Sequence, residues 1–355
     1  MKKLIPFIAL VPLVLLALTP PFNFQLDCTF NSLLWLWAVL ASGFLSFVFM
    51  YQKVSVWLKL FVVWAFTSCF LSAAPYISFT MLFTVIACAY YYALCKKITD
   101  WSMVRKAIQG IFFLITLLII MQLFGKDTLL NFNMKTPVIL GTIGNRMILS
   151  SFVCVLAPFL IVNPLNWIPI ILVSFISYSS GAVLAILLGL GTYVWKIYKN
   201  GKYMCLALIG LAIAFALFTG DFATFASKAG RRQVWEETIE LTLKRPLGYG
   251  IATYRVLFPH LCSKEIRDQQ PGREWARAHN DFLQIPFEVG IPGLILLIGW
   301  IVSIVRKVRN PLKLAGLAIL VGTMSCQFPT RMGQSVLIIL AYLAYCEHNP
   351  NLLED

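Results

Sequence analysis

Ionisable side chains are scarce in this 355-residue sequence: 12% of residues are charged and 59% are hydrophobic. A soluble domain carries about 25% charged residues, so the shortage excludes an ordinary soluble fold and leaves an integral membrane protein. Histidine is rarer still, with His260, His279 and His348 the complete set. The nine cysteines form no CxxC pair, and no histidine stands at metal-ligand spacing, so no metal site and no cofactor are expected. Most of the cysteines fall in apolar runs, where a thiol acts as a small hydrophobe. A bridge between Cys28 and Cys262 requires both to face an oxidising compartment.

What is present is a series of apolar stretches of membrane-spanning or near-spanning length. They predict helices at about 4–20, 31–51, 57–73, 76–95, 104–124, 144–162, 165–180, 182–197, 203–219, 288–305, 313–328 and 332–346. The run from Asn166 to Trp195 reads as a hairpin turning at Ser179-Ser180-Gly181. The net charge of +14 would suggest nucleic acid in a soluble protein; in a membrane protein it reports topology, and no nucleic-acid partner is expected. With a cytoplasmic start, the inner segments hold Lys2, Lys3, Lys53, Lys59, the Lys96–Lys97 and Arg105–Lys106 pairs, Lys196, Lys199, Lys202, Arg306, Lys307, Arg309 and Lys313. The short outer connections hold only Lys126, Lys135, Arg146 and Arg331. This positive-inside bias places both termini in the cytoplasm and one long loop, about 220–287, outside. The start "MKKLIPFIALVPLVLLALTPPF" resembles a signal peptide, but Pro20-Pro21 sits where cleavage would fall and no A-x-A site precedes it, so it reads as a retained helix.

The spans carry almost no charge. Lys59, Arg146 and Glu288 lie near their ends, and mid-bilayer positions have no Asp, Glu, Lys, Arg or His. Ion-coupled transporters usually need such groups, so chemistry is expected at the outer surface instead. In the outer loop, "GRRQVWEETIELTLKRPLGYG" predicts a helix over 231–244. Val234, Trp235, Thr238, Ile239 and Thr242 fall on one face, and Glu236, Glu237 and Glu240 on the other. Such a helix can lie in the membrane interface with Trp235 at headgroup level. Arg231 and Arg232 at its N-terminus suit either a diphosphate cradle or a lipid-headgroup anchor.

The stretch "EWARAHNDFLQIPFEVG" gathers ionisable groups that the rest of the chain avoids. In a helix from about Arg273, Trp275, Ala278, His279 and Phe282 share a face, while Arg273, Arg277 and Asp281 run down an adjacent one. Neighbouring cations would keep the His279 imidazole neutral, as a general base requires; a structural histidine packed on an aromatic is the other reading. Glu288 suits support of the loop, contact with an acceptor sugar, or a carboxylate at a helix entry. Arg273 and Asp281 read as a solvated stripe.

Three segments together resemble the bacterial O-antigen ligase and polymerase superfamily: "GTIGNRMILSSF" (141–152), "GRRQVWEETIELTLKRPLGYG" (230–250) and "AHNDFLQIPFEVGIPGLI" (278–295), with "QFPTRMGQSVLIILAYL" as a weaker fourth. The resemblance covers about residues 140–345. It implies an all-α integral membrane protein of GT-C type, with about twelve transmembrane helices and one large periplasmic loop. A ligase/polymerase-like core at 141–346 would follow an N-terminal helical region at 1–140, ahead of a cytoplasmic tail at 347–355.

The implied activity is that of a metal-independent, inverting transferase in the bacterial inner membrane. It takes a glycan from an undecaprenyl diphosphate carrier at the periplasmic face and joins it to an acceptor hydroxyl. By motif position, Arg232 corresponds to the diphosphate-holding arginine and His279 to the proposed base, with Asn280 beside it. Trp235 and Glu288 fall in supporting positions. Ser180 stands where the family often has arginine; Arg146 and Arg331 are candidates to replace that charge, and Arg277, two positions from His279, is a further candidate for the donor site. The expected acceptor is lipid A–core, as for an O-antigen ligase. A polymerase using a second lipid-linked repeat and an O-linked protein glycosyltransferase are the alternatives within the superfamily. An exporter whose loop is only a gate is the alternative outside it.

Overall fold

The computed structural model of the chain describes Ile5 and residues 54–124, 146–176, 179–198, 201–204, 206, 208, 210, 231–269 and 275–348. In chain order the helices are α1 (Val56–Phe70), α2 (Pro75–Cys95), α3 (Ser102–Leu123), α4 (Arg146–Leu160), α5 (Trp167–Ile176) and α6 (Ser180–Ile197). The polar segment supplies α7 (Arg231–Lys244), α8 (Tyr254–Leu261) and α9 (Lys264–Gln269). Then come α10 (Asp281–Val305), α11 (Pro311–Cys326) and α12 (Gly333–Glu347). No strand occurs among the described residues. The helices α2, α3, α6 and α10 are long and apolar enough to cross a membrane, while α1, α11, α12 and most of α4 are apolar but shorter. This is an all-α membrane protein. The helices expected at 4–20, 31–51 and 203–219 lie outside the described residues apart from single positions, as do Cys28, Lys126, Lys135 and Arg273.

The hairpin over 165–197 forms as two helices because Ser179 caps the second, its hydroxyl accepting from the Ala182 N–H at 3.4 Å. The α6 helix packs closely on α11, where Gly189 faces Ile319 and Gly322 faces Ala185. Small residues let helix backbones approach in the way that membrane bundles favour. Two ends of the bundle are chemically distinct. At one, the polar segment lies on the α1–α2 turn: the Ala73 N–H donates to Tyr249 O at 2.8 Å and the Ser78 hydroxyl to Ile251 O at 3.2 Å. At the other, Glu347 takes Lys96 at 2.7 Å and Lys307 at 3.3 Å, and buried Lys313 donates to the carbonyls of Tyr345 and His348.

Two expectations are corrected here. No helix begins near Arg273: residues 275–280 are irregular, and the helix starts at Asp281 rather than at 288. Asn280 is the reason, because its Oδ1 accepts from the Phe282 N–H at 3.0 Å and caps the first turn. The inner face of α7 also differs from the expected one: Val234, Thr238, Leu241 and Thr242 are buried, whereas Ile239 is 46% exposed. The face turns toward α10 and toward a small core of Tyr249, Tyr254, Phe258 and Phe287.

The α10 helix is broken at Gly290, whose φ of 75° lies outside the helical region. Backbone accounting explains the break. Pro292 has no N–H to give to Glu288 O, four residues earlier, so that carbonyl is left open. The Gly250 N–H fills it at 2.8 Å, the Tyr249 N–H takes Phe287 O at 2.8 Å, and the Ile291 N–H turns to Pro246 O at 2.8 Å. The segment from Pro246 to Gly250 is therefore a strap bonded across the kink. A Cβ on Gly290 would collide with the Leu247 carbonyl, and one on Gly248 with the backbone at Glu288 and Gly290. Gly290→Ala is expected to cost about 1–3 kcal/mol from the left-handed backbone alone, with the collision adding to it. A lowered melting temperature of the detergent-solubilised protein checks this.

Candidate active site

His279 sits in the irregular stretch just before α10, with φ of 54°, a left-handed conformation uncommon outside glycine. Its neighbour Ala278 is fixed on both backbone groups. The Trp235 indole donates to Ala278 O at 2.7 Å, and the Ala278 N–H donates to Gln284 Oε1 at 3.2 Å. The imidazole then faces Phe328 at 4.9 Å and Trp275 at 6.1 Å, both edge-to-face. Its Nδ1 is buried and has no hydrogen-bond partner among the described residues. Burial, with the charges of Arg231 and Arg277 adding to it, pushes the His279 pKa down to about 3. The imidazole is therefore neutral at physiological pH. Cations contribute as the sequence suggested, although desolvation is the larger cause.

The two arginines at the head of α7 separate. Arg232 points outward: its Nε pairs with Glu236 at 2.8 Å, and both side chains are 60% exposed. Arg231 is half-buried, and its charge acts on His279 and on Cys326 at the end of α11. The guanidinium brought to the imidazole is thus the neighbour of the one selected by motif position. One residue along a helix is about 100° of rotation, so adjacent arginines cannot serve the same face. Trp235, expected at headgroup level, is half-buried with its N–H committed to Ala278.

On the other side of the loop, Glu288 is 1% exposed and eight positions from the Asn280 cap, so it is not a helix-entry carboxylate. It accepts from Gln284 Nε2 at 2.9 Å, from the Ala252 N–H at 2.9 Å and from Arg331 at 2.8 Å. These bonds match support of the loop. Asp281 is fully buried rather than solvated; its Oδ2 accepts from the Thr330 N–H at 3.1 Å and Arg331 lies 3.9 Å from its Oδ1. Arg331 is therefore tied to two carboxylates. Arg277 makes no ion pair among the described residues; burial and then Arg331 hold its pKa below the usual arginine value. Such a cation is relieved by an anion. Arg146 opens α4, and its side chain lies outside the described residues.

Beneath these groups a cavity of about 600 Å³ opens among α1, α2, α10, α11 and α12. That is the size of a ligand pocket. Its walls are apolar, with Phe61, Met81, Leu297, Leu320 and Leu340 among them, and Arg255, Arg277, Glu288, Thr330 and Arg331 line its polar end. The sequence did not single out Arg255 or Gln284. Arg255 was one loop cation among many, with no spacing to mark it. Gln284 stood inside the His-Asn segment, but its role depends on contacts with Ala278 and Glu288 that only the capped helix creates.

Chemically, an apolar cavity ending in guanidiniums suits an amphiphile with an anionic head, and a neutral buried imidazole beside it can take a proton. No curated protein matches the chain. Residues 165–298, which take in α5, α6, the α7–α9 segment and most of α10, match the family described as O-Antigen ligase. That match supports the O-antigen ligase/polymerase superfamily, the one its motifs resemble.

Proposed function

We propose that the protein is a membrane glycosyltransferase that moves a glycan from an undecaprenyl diphosphate carrier to an acceptor hydroxyl at the periplasmic face. We infer that it acts as an O-antigen ligase, with lipid A–core as acceptor. The observation that carries this reading is the juxtaposition of the arginine-ended apolar cavity with the His279 loop, in a chain that matches the O-Antigen ligase family. The carrier's hydrocarbon lies along the cavity walls, and its diphosphate meets Arg277, Arg331 and Arg255, with Arg231 approaching from the α7 side. The sidedness rests on charge: Lys96, Lys307 and Lys313 gather at the end of the bundle away from the polar segment, as cytoplasmic ends do.

In the reaction, His279 takes the proton of the acceptor hydroxyl as its oxygen bonds to C1 of the donor sugar. The C1–O bond to phosphate breaks, and the electron pair leaves on the diphosphate, where guanidiniums stabilise the charge. A single displacement inverts C1. Deleting the protein in its host is expected to leave intact lipid A–core without O-chains on a lipopolysaccharide gel. Core carrying a single repeat would instead identify a polymerase. Unchanged banding would overturn both.

A further inference from the structure

The hydrogen bonds around Ala278 continue into a relay beyond the groups proposed to meet the donor and the acceptor. Gln284 has both amide groups in use: Oε1 accepts from the Ala278 N–H at 3.2 Å, and Nε2 donates to Glu288 Oε1 at 2.9 Å. Gln284 is fully buried, one turn into α10 and five residues past the imidazole. Glu288 in turn holds Arg331 at 2.8 Å and the Ala252 N–H at 2.9 Å, and both Arg331 and Ala252 line the cavity. Ala252 is itself left-handed, with φ of 60°. Two strained residues, His279 and Ala252, are thus joined through one glutamine and one glutamate. Left-handed non-glycine residues cost about 1–3 kcal/mol each and persist only where surrounding bonds hold them.

We propose that Gln284 is a positioning residue for His279: its amide holds the Ala278 N–H, as Trp235 holds the Ala278 carbonyl, and ties the backbone there through Glu288 to the Arg331 end of the cavity. This rests on the proposed role of His279 as base. The peptides before and after Ala278 are each held, the first by its N–H and the second by its C=O, so the imidazole that follows is fixed relative to the guanidiniums. Releasing one clamp lets the left-handed residue relax and moves the imidazole. A displacement of about 1 Å costs on the order of 10²-fold in rate.

The groups facing this relay are Glu288 and Asp281 on α10, Arg331 after α11, and Arg277 and Arg255 from the loop segment. Gln284→Leu keeps the volume and removes both bonds. Gln284→Glu accepts from the Ala278 N–H in either state, but its carboxyl donates to Glu288 only when protonated.

The test uses the full chain in nanodiscs, with an undecaprenyl diphosphate-linked glycan as donor and a purified lipid A–core acceptor. Gln284→Leu should lower kcat by about 10²-fold with donor KM within about twofold of wild type. Gln284→Glu should be as slow at pH 8 and recover at least tenfold as the pH is lowered to 5, relative to the wild type at each pH. Gln284→Leu should show no such recovery. Normal kcat in Gln284→Leu, or a donor KM that rises as kcat falls with no low-pH recovery in Gln284→Glu, overturns the positioning role. The His279 reading fails separately, by transfer that survives His279→Ala in the same assay.

Discussion

Replacing His279 by alanine lowers glycan transfer by about 10²–10⁴-fold while the protein stays inserted and folded. The expectation follows from what the side chain lacks as much as from where it sits. Its Nδ1 is buried without a partner among the described residues, and its contacts are the edges of Trp275 and Phe328. Its ring contacts among the described residues are edge-to-face, so removing the ring breaks no stacked aromatic pair. A purified assay measures the loss, and near-normal transfer by His279→Ala would remove the imidazole from the mechanism. An exporter with a gating loop predicts instead transport activity that survives His279→Ala.

The pH dependence follows from the same surroundings. The pKa is pushed down to about 3, so the base is in its active, neutral form at every pH well above that value. The profile of kcat/KM reports the free enzyme. His279 should contribute no acid limb near 6.5, the value of an ordinary histidine, and none down to about pH 4. A bound diphosphate opposes the positive field of Arg231 and Arg277, the two charge contributions that depress the imidazole. Its pKa therefore rises in the donor complex, and the acid limb of kcat, which reports that complex, should lie at higher pH than that of kcat/KM. The shift also helps catalysis, since proton transfer is best when the base's pKa approaches the working pH. Coincident limbs would mean that the donor's charge does not reach His279.

Much of the membrane architecture was legible because apolar run length is a direct physical requirement of crossing a bilayer. The bounds of α2 and α6 fall within about two residues of expectation, and the split at Ser179 followed from a capping residue between two apolar runs. The site was harder to read. The stretch from Arg273 was assigned a helix because its apolar residues recur at helical spacing, yet Asn280 terminates that pattern by capping the next helix. Asp281 was taken as solvated from its neighbours in sequence, whereas a tertiary contact with residues 330–331 buries it. One of the three readings of Glu288, a carboxylate at a helix entry, assumed that α10 begins there. The kink at Gly290 and its strap are likewise bonds between segments some forty residues apart, and no local period encodes them. The strap's glycines were visible, but the reason for them, the close passage of two backbones, was not.

Arg231→Ala is expected to reduce transfer by about 10²–10³-fold, the cost of losing one preorganised charge at a developing anion, while Arg232→Ala stays within about threefold of wild type. Motif position favoured Arg232, whereas the charge that acts on the imidazole is that of Arg231. Arg232 is exposed and already paired with Glu236, an arrangement whose coupling is worth about 0.3–0.5 kcal/mol in helices of this kind. Breaking it should leave α7 folded, because the helix is held by buried Val234, Thr238 and Leu241 rather than by its outer charges. Arg231 is half-buried, and its charge is felt by His279 and Cys326. A guanidinium at that point can meet a phosphate whose sugar is presented to the imidazole. Arg231→Lys should recover only part of the rate, because a point charge does not reproduce two parallel N–H bonds to phosphate oxygens. Side-by-side kinetics of the three variants decide the assignment. Loss confined to Arg232→Ala would return the role to the motif residue and require α7 to turn by about 100° when donor binds.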